Sequence, residues 1–196
     1  MKIDIRSLSE DQIIEFFEKK GFDSYRGRQV YEWIWKKSSY SFDEMTNISK
    51  DLRDVLDNHF VINHIQVDKI QKSSDGTIKN AVKLHDDHTV ESVLIPTDDR
   101  TTACVSSQVG CSLDCRFCAT SKLKRMRNLN PDEIYDQVVT INNQSLKYFN
   151  RPLSNIVYMG MGEPLMNYNN LIKSIEKISS DKGLNMSQKR IVVSTS

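Results

Sequence analysis

Past residue 100 the hydrophobic pattern alternates between short apolar runs and segments of helical period, and few folds accommodate that order. The run "TACVS" enters a loop; "NPDE" at 130–133 then supplies an Asn cap, a proline at the first helical position and a glutamate at the third, ahead of Ile134, Val138 and Ile141 on one face. The strand "NIVYM", the loop "GMGEP", a helix carrying Leu171, Ile172, Ile175 and Ile178 with Gly183 near its end, and the strand "RIVVSTS" follow. Strands that alternate with helices imply crossover connections and a parallel sheet, as in an α/β barrel or an open sheet, with sites at the C-terminal ends of the strands. Three unusual stretches fall at such ends: a cysteine-rich loop after the first strand, "GMGEP" after the second and "STS" closing the third. They are expected side by side.

Upstream the period differs. From Val61 to Pro96 it is two, in "HIQVDKIQ", "TIKNAVKL" and "TVESVLIP" separated by the turn-like "SSDG" and "DDH", which reads as antiparallel strands. In the last of these Glu91 alternates with Val93 and Ile95, so its carboxylate shares their face. Such a group is either desolvated, paired or working as a base, or it lies on the wet face of an edge strand. The first sixty residues read as three short amphipathic helices: Ser9 and Gln12 form a capping box ahead of Ile13, Ile14, Phe16 and Phe17, with Gly21 ending that helix. A second spans roughly Gly27 to Lys37 with Val30, Ile34 and Trp33, and a third starts at Ser49 with Leu52, Val55 and Leu56. Residues 1–60 are thus expected as a helical accessory domain, 61–100 as an antiparallel β segment and 101–196 as the N-terminal part of a barrel. An RNA-binding role for the helical module and mere packing both remain open.

Composition narrows the setting. With 38% hydrophobic and 27% charged residues, and no apolar run near the ~18 to 20 residues of a membrane span, the chain is expected to work in water, without a membrane partner. Leu8 to Gly21 is amphipathic rather than leader-like, so a cytoplasmic protein with reduced thiols is expected. Net charge is +1 overall, but residues 101–196 hold 12 basic and 7 acidic side chains, densest at Arg116, Lys122, Lys124, Arg125 and Arg127. That run suits a polyanion beside the cysteine loop, and equally a solvated loop.

All four cysteines lie in "CVSSQVGCSLDCRFCAT", residues 104–120. Cys111, Cys115 and Cys118 make C-x3-C-x2-C, enough to hold three irons of a cubane cluster and leave the fourth open to a small molecule. A structural zinc site wants four closed ligands and could be completed here only by Cys104, His85 or His88. The spacing favours the cluster.

"GCSLDCRFC" resembles the cluster motif of the radical S-adenosylmethionine (SAM) enzymes. "CVSSQVGCSLDCRFCAT", "YMGMGEPLMNY", "VVSTS" and "VESVLIP" together are similar to the RlmN/Cfr family of RNA methyltransferases, over essentially the whole chain. The resemblance implies an α/β fold: a partial TIM-like radical SAM barrel of about three strands, preceded by the helical domain and the antiparallel segment. It implies a [4Fe-4S] cluster on Cys111, Cys115 and Cys118, with SAM held at its amino end by Gly162 and Glu163 and contacted by Ser194, Ser196 being the less favoured choice. By the same resemblance Glu91 is the proton acceptor, and Cys104 a second thiol that pairs transiently with a catalytic cysteine. The implied activity is methylation of carbon 2 of adenosine in 23S rRNA and, beside the anticodon, in tRNA. Carbon 2 is electron-poor, which a radical route through a methylated cysteine and a second SAM overcomes. Flavodoxin or ferredoxin is implied as electron donor, and a monomer is expected.

That methyl-carrying cysteine and about three further strand-helix units of the family are not within the 196 residues, so a fragment of a longer enzyme, inactive by itself, is expected. The competing class is a zinc- or cluster-stabilised RNA-binding module without catalysis; Glu163 and Glu91 discriminate, because a simple grip on phosphates needs neither. An electron carrier is disfavoured by the open fourth ligand position.

Overall fold

Ser9 accepts the backbone N–H of Gln12 (3.2 Å), and the Gln12 side chain accepts that of Ser9 (2.8 Å), so the first helix starts where the capping pattern places it. The computed structural model describes residues 2–196. These divide into two units, the first running to Asn63 and including Ser180–Asn185, the second comprising His64–Ser179 and Met186–Ser196. In the first unit a short strand β1 (Ile3–Asp4) precedes helices α1 (Glu10–Lys19), α2 (Ser24–Trp35) and α3 (Lys50–His59), and β2 (Phe60–Val61) returns parallel to β1. Ile13, Phe17, Val30, Ile34, Leu52 and Leu56 fill its core. Each such side chain contributes about 1.5–3 kcal/mol on burial. Two expectations shift here. Helix α2 begins at Ser24, and Gly27, expected at its start, lies in its first turns packed tightly on α1: a Cβ there would lie 2.7 Å from the Ile14 backbone. Trp35, not Trp33, is the core tryptophan.

The second unit is built on one mixed sheet. Strands β3 (Gln66–Lys72), β4 (Ile78–Lys83), β5 (Thr89–Pro96) and β6 (Thr101–Cys104) run as an antiparallel meander. A two-stranded pair follows, β7 (Gln108–Val109) with β8 (Arg127–Asn128); then α4 (Pro131–Phe149), β9 (Asn155–Tyr158), α5 (Tyr168–Ser179) and β10 (Ile191–Val193). The six-stranded order is β10-β9-β6-β5-β4-β3, with β6, β9 and β10 parallel. The antiparallel residues therefore continue the parallel strands in a single open sheet. The fold is α/β, an open mixed sheet without a closed barrel among the described residues.

Both long helices cover the same face of that sheet. Ile78, Val82, Val90, Leu94, Ala103, Ile156 and Tyr158 are buried beneath them, with Ile134, Val138, Ile141, Leu171 and Ile178 from the helices. Two polar pairs are caught in this layer: Asn80 and Gln144 exchange amide hydrogen bonds (3.0 and 2.7 Å), and Tyr158 meets Ser174 (2.8 Å), whereas the buried Ser92 hydroxyl has no hydrogen-bond partner among the described residues. Burial pushes the Tyr158 phenol up to about 12, partly offset by that hydrogen bond. On α5 Ser174 is buried whereas Ile172 is exposed, since the helix face is set by the Leu171–Ser174–Ile178 spacing. Among the described residues no helix is long and apolar enough to cross a membrane.

Candidate cofactor site

The uncovered face of the sheet carries the two residues expected in catalysis. Val93 pairs with Cys104 across β5 and β6, so Glu91, two residues along β5, shares a face with Cys104. Of the alternatives left open for Glu91, the structure shows a paired carboxylate on a wet face. Val93 and Ile95 do share its face, but the buried residues of β5 are Val90, Ser92 and Leu94, and the Glu91 side chain stays 50% exposed and paired with Lys79 (3.0 Å). The period of two could not say which face the helices would cover. Cys104 is more enclosed; burial raises its thiol pKa, with a smaller opposing hydrogen bond from the Met159 backbone.

At the C-terminal ends of β6 and β9 the chain is tied by polar side chains. Ser106 donates to the Glu91 carbonyl (2.5 Å) and accepts the N–H of Met161 (2.8 Å), while the Gln137 amide bonds both its N–H and its carbonyl (2.9 and 3.2 Å). Ser107 and Gln108 donate backbone N–H groups to the Met161 carbonyl. Asn167 donates to the carbonyls of Ser107 and Leu129, both at 2.8 Å. None of these side chains was singled out by sequence reasoning. The signal was available in "SSQ", a polar triplet directly after an apolar strand, which can be buried only if every group finds a partner.

Gly162 has φ +95°, a region a side chain rarely adopts, and a Cβ there would come within 2.4 Å of Gln108. It aims the following residue. Glu163 is buried, and its carboxylate accepts N–H groups from Leu165 (2.9 Å) and Ser196 (3.1 Å). Burial would raise its pKa, but the hydrogen bonds from Leu165, Thr195 and Ser196 outweigh it and hold the carboxyl below its ordinary value. Ser194, half-buried, directly follows β10; Ser196 is the residue that touches Glu163 and, through its hydroxyl, the Cys115 sulfur (3.7 Å). The three strand ends thus meet, as their positions in the pattern required.

The cysteine loop itself is loosely built. Its ends are fastened by Cys111 N–H to the Leu123 carbonyl and Met126 N–H to that of Val109, and Cys118 N–H closes a turn on the Cys115 carbonyl (3.0 Å). All four cysteines are free thiols. The Cys111 sulfur accepts the N–H of Leu113 (3.4 Å), and backbone donation from Thr120, ahead of opposing burial, lowers the Cys118 thiol pKa. Among the described residues no three His, Cys, Asp or Glu side chains are gathered closely enough to hold a metal ion. The donor chemistry nevertheless fits an iron-sulfur cluster: three soft ligands on one loop, with N–H groups aimed at sulfur.

The basic run divides in two. Arg116, Lys122, Lys124 and Arg125 are exposed, but Arg127, counted among them, is structural. It forks onto Glu133 (2.7 and 2.8 Å) and reaches Asp86 (2.5 Å), tying β8 to α4 and to the turn before β5. Spacing along the chain could not separate a solvated arginine from one bridging two distant acids.

Fold and strand-end geometry define a radical SAM protein, and comparison with known proteins agrees. Residues 105–196 match the model of the Radical SAM superfamily, and residues 3–62 that of the "Ribosomal RNA large subunit methyltransferase N-terminal domain". Over its whole length the chain is similar to members of the RlmN family, and its residues 105–196 fall in the Radical SAM superfamily. It is 71% identical over 195 residues to the probable dual-specificity RNA methyltransferase RlmN of Christiangramia forsetii, covering 100% of this chain and 55% of that protein. With the dual-specificity RNA methyltransferase RlmN of Desulfotalea psychrophila it shares 42% identity over 200 residues, 99% of this chain and 55% of the relative. The crystal structure of a radical SAM methyltransferase from Sphaerobacter thermophilus superposes with a TM-score of 0.87 at 34% identity, covering 98% of this chain and 57% of that one. The chain spans about half the length of the curated relatives it matches. Membership implies a [4Fe-4S] cluster and SAM as cofactors.

Proposed function

We propose that these residues form the cofactor-binding half of a radical SAM methyltransferase that modifies carbon 2 of adenosine in 23S rRNA and, beside the anticodon, in tRNA. Cys111, Cys115 and Cys118 would hold the cluster, with SAM bound beside it. When bound, the cluster would supply the electron for reductive cleavage of SAM. The observation that carries the reading is the meeting at Glu163: an ionised, buried carboxylate beside Gly162, within reach of the strand end at Ser194–Ser196 and, through Ser196, of Cys115. A carboxylate so placed accepts hydrogen bonds from the N–H groups at the amino end of SAM. Ser194 lies at the same strand end as a further contact.

On the open sheet face Glu91 accepts the proton from the adenine ring, and Cys104, on that same face, is the thiol that exchanges with the methyl-carrying cysteine. None of the four cysteines in these residues takes the methyl-carrying role. Residues 1–60 serve as the accessory domain and the exposed Arg116, Lys122, Lys124 and Arg125 contact RNA phosphates. The working protein is a cytoplasmic monomer reduced by flavodoxin or ferredoxin.

The test is anaerobic reconstitution with iron and sulfide, followed by metal analysis and visible spectra with and without SAM. About four irons per chain and a spectrum that changes on adding SAM are expected. Stoichiometric zinc with no SAM response would replace the radical reading with a zinc-stabilised module.

A further inference from the structure

One side chain joins three separate segments around Glu163. Gln108 is 0% exposed, and a primary amide so buried must place both its oxygen and its nitrogen. Its Oε1 accepts the backbone N–H of Glu163 (2.9 Å) and its Nε2 donates to Asn128 Oδ1 (2.7 Å). Its methylenes fill the space over Gly162 that a Cβ would otherwise occupy. Asn128 in turn donates to the Met166 carbonyl (3.2 Å), on the far side of Glu163. The start of the cysteine loop, its return strand and the Gly162–Glu163 loop therefore converge on a single amide.

Other bonds hold these segments together as a fold. Leu129 N–H reaches the Ser107 carbonyl, Asn167 bridges the same two residues, and β7 pairs with β8. What Gln108 alone supplies is the partner for the Glu163 amide, one bond from the Cα that carries the carboxylate. We infer that Gln108 is a positioning residue that sets the Glu163 carboxylate for the amino group of SAM. The inference rests on the reading of Glu163 as the SAM ligand. Without an acceptor at Oε1 the Glu163 amide is buried unsatisfied, the loop turns to find water or another carbonyl, and the carboxylate turns with it.

The experiment is a double-mutant cycle on the anaerobically reconstituted protein, with SAM dissociation constants measured by equilibrium dialysis. Gln108→Met is expected to weaken SAM binding about tenfold, the worth of one buried hydrogen bond, and to have no further effect in a Glu163→Gln background. In ligand-free protein the same variant speeds hydrogen exchange at the Glu163 amide at least tenfold while the Val105 amide, bonded across β6 and β9, is unchanged. An unchanged dissociation constant for Gln108→Met overturns the inference, as does an equal loss in both backgrounds. If Glu163→Gln itself binds SAM normally, the reading of Glu163 fails and the inference falls with it. Should Gln108→Met not fold, Gln108→Ala, which leaves room for water at the amide's place, enters the cycle under the same criteria.

Discussion

The two walls of the candidate cofactor site are built in opposite ways. Around Gly162 and Glu163 the side chains of Ser106, Gln108 and Asn167 are buried and hydrogen-bonded, so the backbone has one arrangement available. The cysteine loop facing it exposes Phe117 at 90% and the residues from Lys122 to Met126, and it is fastened mainly at its ends. One wall is set by the protein's own polar pairing, whereas the other lacks the internal contacts that would gather its three thiols. On the proposed reading, preorganisation falls where a fixed carboxylate would meet SAM, and freedom where soft ligands would close around a metal.

Replacing cysteines gives the largest contrast. Cys111→Ser, Cys115→Ser or Cys118→Ser each is expected to abolish iron uptake on reconstitution while leaving the melting temperature of the ligand-free protein within about 2 °C, because few native contacts cross the loop. A large thermal loss would mean the loop is part of the core after all. Next comes Arg127→Met, which leaves the Glu133 carboxylate, 1% exposed, with only the Asn130 N–H and His85 beside it, and is expected to cost about 3 kcal/mol in urea unfolding. A cost near zero would place Arg127 back among the solvated cations. Gly162→Ala should follow at about 2 kcal/mol, from the φ of +95° and the clash with Gln108, and should weaken SAM binding as well.

A smaller effect concerns acid stability. The hydrogen bond from Arg127, working against desolvation and aided by the arginine charge and His88, holds the Asp86 carboxyl well below the usual carboxylate range. Its folded pKa is depressed, so the unfolded chain binds more protons; the contribution is complete above about pH 4 and lost as pH falls below it. Urea unfolding between about pH 5 and pH 3 should be steeper in pH for the native protein than for Arg127→Met, and parallel curves would contradict this. Least of all, Arg125→Ala should change stability by under about 0.5 kcal/mol. Its expected signature is weaker RNA binding with a shallower salt dependence, read by filter retention at several salt concentrations.

Much of this was legible in the residues. Period and capping placed α1 and α4 through Ser9, Gln12 and Pro131, and the alternation after residue 100 required the cysteine loop, Gly162–Glu163 and the "STS" end to share one edge of a sheet, because parallel strands end together. Quoted motifs led to the family. Less legible were Glu91 and Arg127, whose surroundings come from chain segments far away in sequence. A strand's period of two puts Glu91 with Val93 and Ile95 but is silent on which face receives the helices, and a run of cations does not say which one folds back onto Asp86 and Glu133.

Local patterns determined the elements, their order and the chemistry of the ligands, since caps, turns and donor types act over a few residues. Tertiary structure alone decided which groups are buried and whom they meet. The Gln108 amide acquires a role only when β9 brings Gly162 and Glu163 beside it, 55 residues further along the chain, and burial then makes its hydrogen bonds obligatory.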